Sequence, residues 1–114
     1  MHPVDGTYIV EFRSSRGGLG FGMVVLDQGK INGGNQGYAY RGRYVYLEPA
    51  ALRAQLHITR WSQEASSVFG PLESFTLAAE AELDSLGFHG EGQVQDKEEL
   101  TVSIHGQRIA PLAE

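Results

Sequence analysis

The chain contains no cysteine. Disulfide bonds, thiolate zinc sites and cysteine nucleophiles are therefore excluded. Small secreted domains often depend on disulfides, so this absence favours a reducing compartment and predicts a cytoplasmic location. The first residues lack the basic and apolar segments of a signal peptide, and no apolar run approaches the ~18 residues of a membrane span. We therefore expect no association with a membrane.

Clustered positive charge is also missing. The 114 residues carry nine Lys and Arg against 14 Asp and Glu, a net charge of −5. Phosphate binding needs clustered cations, so we expect no direct contact with nucleic acid. The carboxylates concentrate in residues 64–99, where nine of them accompany Lys97 alone. This stretch is either a solvated surface that aids solubility or a face that attracts a basic partner.

Motifs that carry chemistry are absent as well. Residues 18–22 read Gly-Leu-Gly-Phe-Gly, but their spacing is not that of a nucleotide loop, and a strand-like segment follows where a helix is required. The chain has no Gly-x-Ser-x-Gly elbow and no His-Glu-x-x-His helix. We therefore predict a protein that is not an enzyme, with no cofactor and no metal.

What the sequence does have is alternation of apolar and polar residues. It occurs in six segments: residues 7–13, 19–25, 38–47, 52–61, 86–95 and 100–105. A period of two with one polar face is typical of half-buried antiparallel strands. Fifteen glycines, about twice the usual share, and turn motifs such as Asp27-Gln28-Gly29 punctuate the segments. We expect one all-β domain over residues 1–114, a small antiparallel barrel.

The first hairpin can be tested for register, because paired residues lie on the same side of a sheet. A four-residue turn at residues 15–18 would pair Phe12 with Phe21 and Val10 with Met23. Both pairs are apolar on apolar, which predicts that all four side chains face the core.

The last hairpin also gives a consistent register. A turn centred on Lys97 would form three pairs: Val94 with Leu100, Gly92 with Val102, and Gly90 with Ile104. It would also place His89 opposite His105 on the outer face. Two surface imidazoles could contribute to a metal site, but we interpret them as incidental.

One segment, residues 72–86, is ambiguous. Its apolar residues fit helical spacing, and its run of Ala and Glu favours a helix by propensity. A strand over residues 74–80 also fits, with Phe75, Leu77 and Ala79 on one side, and it would complete the meander. We favour the strand.

A row of tyrosines is the most informative feature. Tyrosines at 38, 40, 44 and 46 share one face of a predicted strand. They form a packed core, the wall of a cavity for an apolar small molecule, or part of a dimer surface. The cavity candidates are Phe12, Met23, Tyr40, Tyr44 and Leu56.

Taken in order, the segments carry a series of short motifs: Asp5-Gly6-Thr7-Tyr8, then Phe12 and Ser14, the glycine-bearing residues 18–25, Gly29-Lys30-Ile31-Asn32-Gly33-Gly34, Tyr40 and Gly42, Leu56, Ile58 and Arg60, and residues 109–112. In these motifs the chain resembles the GrlR-like family of negative regulators of type III secretion. The resemblance runs from about residue 5 to residue 112.

The resemblance implies an eight-stranded lipocalin-like barrel, often a homodimer, that sequesters a helix-turn-helix transcriptional activator. The acidic loop that the family uses for this contact is reduced here to Glu48. The resemblance therefore implies the fold more directly than the partner. With the acidic stretch, the candidates for binding a basic partner are Glu48, Glu80, Glu82, Asp84 and Glu91.

Two hypotheses follow from different features. The acidic stretch and the resemblance favour a protein-binding negative regulator. The tyrosine row and the barrel favour a carrier or sensor of a small molecule or lipid.

Overall fold

A computed structural model describes residues 4–15, 17–62 and 74–113, and contains no helix within these ranges. Eight strands follow one another along the chain: β1 (Gly6–Ser14), β2 (Leu19–Asp27), β3 (Lys30–Gly34), β4 (Tyr38–Leu47), β5 (Ala51–Arg60), β6 (Ser74–Leu83), β7 (Gly87–Val94) and β8 (Lys97–Ala110). Each pairs antiparallel with the next, and β8 pairs with β1, so the sheet closes into a barrel. The prediction of a small up-and-down barrel is confirmed, and eight strands are consistent with a lipocalin-like architecture.

The ambiguous segment is a strand, as favoured. Residues 74–83 form β6, while residues 72–73 lie outside the described part of the chain. Pairing with β5 places Leu77 opposite Leu56 on the inner face, where both are buried. Because β6 fills the position between β5 and β7, the pairing on both of its sides overrides the helical preference of its Ala and Glu residues.

The core lies inside the barrel and includes the tyrosine row. Tyr38, Tyr40 and Tyr44 are buried and Tyr46 is half-buried, so the predicted inner face of β4 is confirmed. Buried aliphatic residues from the other strands pack with this row: Val10, Val24, Leu26, Ile31, Leu52, Leu56, Ile58, Leu77, Val94, Leu100, Val102 and Ile104.

The predicted register of the first hairpin is wrong by one residue. Phe12 lies opposite Gly20, not Phe21, because the turn is one residue shorter than the predicted residues 15–18. A shift of one residue moves every side chain to the other face of a strand. Phe21 and Met23 therefore point outward, 57% and 44% exposed.

Large aromatic side chains inside the barrel explain why two inward-facing positions, Gly22 and Gly106, are glycine. A Cβ added to Gly22 would lie 2.6 Å from the Tyr40 hydroxyl oxygen. The Tyr40 ring in turn packs edge-on against Phe12, with centroids 5.8 Å apart. A Cβ on Gly106 would lie 2.3 Å from the Phe88 ring. Only glycine leaves room for the facing ring at these positions.

The last hairpin follows the prediction over most of its length. Both predicted glycine pairs are present, as is the pair of histidines. The register shifts after Gln93, however, and Val94 lies opposite Lys97. The predicted pairing of Val94 with Leu100 is therefore wrong, because the ladder is irregular at this point.

Buried and exposed phenylalanines on paired strands should respond differently to truncation. We expect Phe12→Ala to destabilise the protein by about 3–5 kcal/mol, as buried aromatic truncations do. Phe21→Ala should change the stability of the monomer by less than about 0.5 kcal/mol, because the side chain is exposed. Chemical denaturation under dilute conditions measures both. A large loss of stability in the Phe21 variant would support the register predicted from the sequence.

Candidate functional site

The barrel interior leaves a cavity of about 50 Å³. Of the five predicted cavity residues, Phe12, Tyr44 and Leu56 line it. Tyr40 is buried outside the cavity wall, and Met23 is wrong as a cavity residue because it lies on the outer face. Pockets for small molecules usually enclose about 300–1,000 Å³, so the interior is largely filled by its own side chains.

Tyr40 takes part in closing one end of the barrel. Its hydroxyl accepts a hydrogen bond from Asn35 Nδ2 at 2.9 Å, and the Trp61 indole donates to the Asn35 carbonyl at 3.2 Å. Burial raises the pKa of Tyr40 to about 12, with a smaller contribution from Tyr38. The contacts of Tyr40 are therefore those of a packed structural residue.

Asp5 holds the opposite end together. Its carboxylate is buried and accepts hydrogen bonds from the Tyr44 hydroxyl at 2.5 Å and from the Gln28 backbone N–H at 3.2 Å. Arg108 donates to the Asp5 carbonyl at 2.8 Å. Burial, and then the hydrogen bond to Asp5, raise the pKa of Tyr44 to about 12. The sequence alone does not identify this role of Asp5, because its hydrogen-bond partners Gln28 and Tyr44 are distant along the chain.

An open groove of about 1220 Å³ crosses the outer face of β4–β8. Three of the predicted acidic residues, Glu80, Glu82 and Glu91, line it. We call this surface the acidic groove and define it by its outward-facing polar and small side chains: Arg43, Arg53, Gln55, Ala78, Glu80, Glu82, His89, Glu91, Gln93, Thr101, Ser103 and His105. Strand pairing thus brings together residues that are up to 62 positions apart (43 to 105).

Two arginines, Arg43 and Arg53, share the acidic groove with its three glutamates. Glu80 forms an ion pair with Arg53 at 3.1 Å. Glu80 is also directly opposite Glu91 on the neighbouring strand, an arrangement of like charges that disfavours the sheet. Within the described part of the chain, the Glu91 carboxylate makes no hydrogen bond or ion pair.

The other two acidic candidates lie outside the groove. Asp84 belongs to the turn between β6 and β7, where it accepts hydrogen bonds from the backbone N–H groups of Leu86 at 2.9 Å and Gly87 at 2.8 Å. Its hydrogen bond with His89 at 2.7 Å, followed by these backbone bonds, lowers the pKa of Asp84. Glu48 is exposed in the turn between β4 and β5. Asp84 therefore orders a turn, and Glu48 is separate from the groove.

His89 and His105 lie opposite each other, as predicted, at one side of the groove. Their rings are stacked with centroids 6.3 Å apart, and His89 Nε2 is 3.7 Å from Glu82 Oε2. The described ranges contain no group of three or more His, Cys, Asp or Glu residues that could hold a metal ion.

Sequence reasoning missed an apolar patch on the outer face of the first hairpin. Ile9, Leu19, Phe21 and Met23 are 37–57% exposed there, and Ile9 lies opposite Met23. We call these four residues the β1–β2 patch. Gly20 and Gly22 alternate with larger apolar residues in the sequence, which does indicate a patch. The prediction placed these apolar residues on the inner face, whereas they lie on the outer face.

Comparison with known proteins adds no further assignment. No protein-family model matches the chain, and no curated protein matches it significantly. Across the described ranges, no helix is both long and apolar enough to cross a membrane. The geometry of the two outer surfaces is therefore the main guide to function.

The Tyr44–Asp5 hydrogen bond should make the free energy of unfolding depend on pH in the alkaline range. The pKa of Tyr44 rises from 10.0 to about 12 in the folded protein, so its contribution to stability is complete below pH 10 and is lost as the pH rises through 12. We expect the free energy of unfolding to fall over this interval, and Tyr44→Phe to reduce that fall.

At pH 7 the same variant should lose about 1–3 kcal/mol, because the buried Asp5 carboxylate loses a hydrogen-bond donor. Denaturant titrations at a series of pH values measure both effects. Tyr46→Phe is the matched control, since its hydroxyl donates to the exposed Pro49 carbonyl. Equal losses at pH 7 in the two variants would contradict the role given to Asp5.

Proposed function

We propose that this domain is a non-enzymatic binding protein and a negative regulator, which sequesters a basic helix-turn-helix transcriptional activator in the cytoplasm. The acidic groove is the observation that carries the proposal, because Glu80, Glu82 and Glu91 lie together there and Arg53 pairs only with Glu80. The resemblance to negative regulators of type III secretion supports the same role.

The small volume of the interior cavity favours recognition on the outer surface. The cavity of about 50 Å³ leaves little space inside, whereas the groove is open to solvent along five strands. A DNA-binding activator presents clustered Lys and Arg side chains to phosphate groups. Occupying those side chains with carboxylates would cover the DNA-contacting surface, so inhibition needs no chemical step.

The alternative is a carrier or sensor of a small molecule or lipid inside the barrel. Three predicted cavity residues do line the interior cavity, but its volume is far below the ~300 Å³ at the lower end of small-molecule pockets. The geometry therefore favours the regulator. Native mass spectrometry of freshly purified protein separates the two, since a co-purifying apolar molecule would favour the carrier.

We also propose that the β1–β2 patch joins two copies of the chain into a homodimer. Exposed apolar clusters of this kind mark interaction sites. Glu11 and Arg13 lie beside the patch and form an ion pair at 3.4 Å. In a two-fold contact each surface meets its own copy, so Glu11 of one copy can face Arg13 of the other while the apolar side chains become buried.

Charge reversal in the acidic groove should slow binding of the activator. We expect Glu82→Lys with Glu91→Lys to lower the association rate at low salt, because charges at an interface act mainly through steering. The defect should shrink at 1 M salt, where screening shortens to about 3 Å. Stopped-flow or surface-plasmon measurements with an activator identified by pull-down from the native host test this.

The control for that experiment is Glu98→Lys with Asp27→Lys, which makes the same change of net charge at exposed positions outside the groove. If both double variants slow association equally, net charge rather than the groove governs binding. An unchanged rate in the groove variant would remove the groove from the interface.

Disruption of the β1–β2 patch should produce monomers. We expect Phe21→Glu to shift the chain toward the monomer, because a charge buried in an apolar contact is costly. Sedimentation velocity over a range of concentrations measures the equilibrium. Val45→Glu, at a similarly exposed apolar residue on β4, is the matched control. A wild-type chain that is monomeric at high concentration would rule out the proposed dimer.

A further inference from the structure

We propose that Val4, Asp5 and Gly6 form a releasable closure at one end of the barrel. Its release opens an entrance through which a small, uncharged apolar molecule reaches the interior cavity. We call these three residues the N-terminal strap. The proposed function needs only the outer surface of the barrel, so it does not depend on this entrance. Three features support the closure: the attachments of the strap, the backbone at Gly6, and the position of the cavity.

The strap crosses the end of the barrel. In the closed ring, β1 has only β2 and β8 as neighbours. Asp5 directly precedes β1, yet its carboxylate accepts hydrogen bonds from Tyr44 of β4 and from the Gln28 N–H in the turn between β2 and β3. Val4 and Asp5 are 5% and 1% exposed. Because Tyr44 is buried and points into the barrel, the strap reaches it across the opening and therefore covers that opening.

The buried carboxylate gives the strap two distinct states. A carboxylate is costly to bury unless hydrogen bonds replace its hydration, and Asp5 has such bonds from Tyr44 at 2.5 Å and from Gln28 at 3.2 Å. Two further bonds hold the backbone of the strap. Tyr8 donates its hydroxyl to the Val4 carbonyl at 2.6 Å, and Arg108 donates to the Asp5 carbonyl at 2.8 Å. Partial withdrawal is unfavourable, so the strap is either docked or hydrated.

Gly6 provides a hinge between the strap and β1. It is the first residue of the strand and has a φ of +153°, a conformation that glycine adopts far more readily than other residues. A Cβ at this position would lie 2.6 Å from Arg108 Nε and 2.8 Å from the Ala110 carbonyl oxygen. Hinges are commonly a few residues at the ends of elements. Gly6 therefore lets the strap swing away while β1 stays paired.

The interior cavity lies directly behind the strap. Tyr44 lines the cavity and also donates its hydroxyl to Asp5. Phe88 lines the cavity as well, and its ring packs against Tyr8 with centroids 5.0 Å apart. The Tyr8 hydroxyl is the group that holds Val4. Two side chains that hold the strap thus belong to the cavity wall or contact it, so release of the strap opens the cavity at this end.

The rest of the wall determines which molecules can enter. Apart from Tyr44, the lining side chains are aliphatic or phenylalanine, for example Leu26, Ile31 and Leu52. A charged molecule would lose its hydration there without gaining hydrogen bonds. Apolar cavities of this kind stay dry and take up apolar molecules. The cavity of about 50 Å³ is small while the strap is docked, so the entrance favours small, uncharged apolar molecules.

The chain has no cysteine, so a single introduced thiol can report on access to the cavity. Val24→Cys places the thiol on the cavity wall, at a residue that is 4% exposed. Thr59→Cys places it at an exposed position of β5 and measures the intrinsic reactivity of each reagent. The reagents are methyl methanethiosulfonate, which is small and neutral, and its anionic sulfonatoethyl analogue. Mass spectrometry follows the rate of labelling.

In the Val24→Cys background, Asp5→Ala should raise the labelling rate with the neutral reagent by about tenfold or more, because hydrogen bonds to a buried charge are lost. The rate with the anionic reagent should rise much less. Tyr8→Phe, a milder change that removes only the bond to the Val4 carbonyl, should act in the same direction by a smaller factor. Tyr46→Phe is the matched control, since its hydroxyl donates to the exposed Pro49 carbonyl; it should leave both rates unchanged.

Leu100→Ala separates release of the strap from a general loss of stability. Leu100 is buried on β8, far from Arg108 along the strand, and lies outside the cavity wall. Global unfolding exposes the introduced thiol to both reagents alike, so this variant should raise the two rates by the same factor. An equal rise for the two reagents in Asp5→Ala, or no rise in either strap variant, would overturn the proposal and leave the strap as a purely structural contact.

Discussion

The interior volume of a closed eight-stranded barrel is the constraint on which the rest of the structure depends. Large rings from Tyr40 and Phe88 enter that volume, and the strands facing them can carry only glycine at the points of contact, Gly22 and Gly106. Inward-facing glycines on β2 oblige the alternating apolar residues to point outward. The β1–β2 patch is therefore a geometric consequence of how the barrel is filled.

The filled interior also shapes what the domain can do. Asp5, Gln28 and Tyr44 join one end of the barrel through a buried carboxylate, and Asn35 links Tyr40 and Trp61 at the other. With only a small cavity left inside the barrel, the recognition proposed above is placed on the outer surface. The two features there differ in chemistry, one apolar and one acidic, and can serve two different contacts at once.

Like charges on adjacent strands are one reason for proposing that this surface binds a partner. A cross-strand pair of glutamates disfavours the sheet, and sequences tend to break such local rules at functional sites. Arg53 relieves only Glu80. The charge of Glu91 is the part of the groove on which the proposed regulatory role most depends.

The sequence alone determined the all-β class, the antiparallel meander and the inner faces of β1, β4, β5 and β8, because a period of two is a local property of the chain. It also located the acidic residues, but not the groove that three of them line, which requires pairing of strands distant in sequence. Which face of β2 points inward depends on the length of the β1–β2 turn, to within one residue. It also depends on the aromatic rings that β1 and β4 place inside the barrel. Apolar residues alternating with glycine were assigned inward because apolar side chains usually prefer the core; only the tertiary structure showed that the space was already occupied.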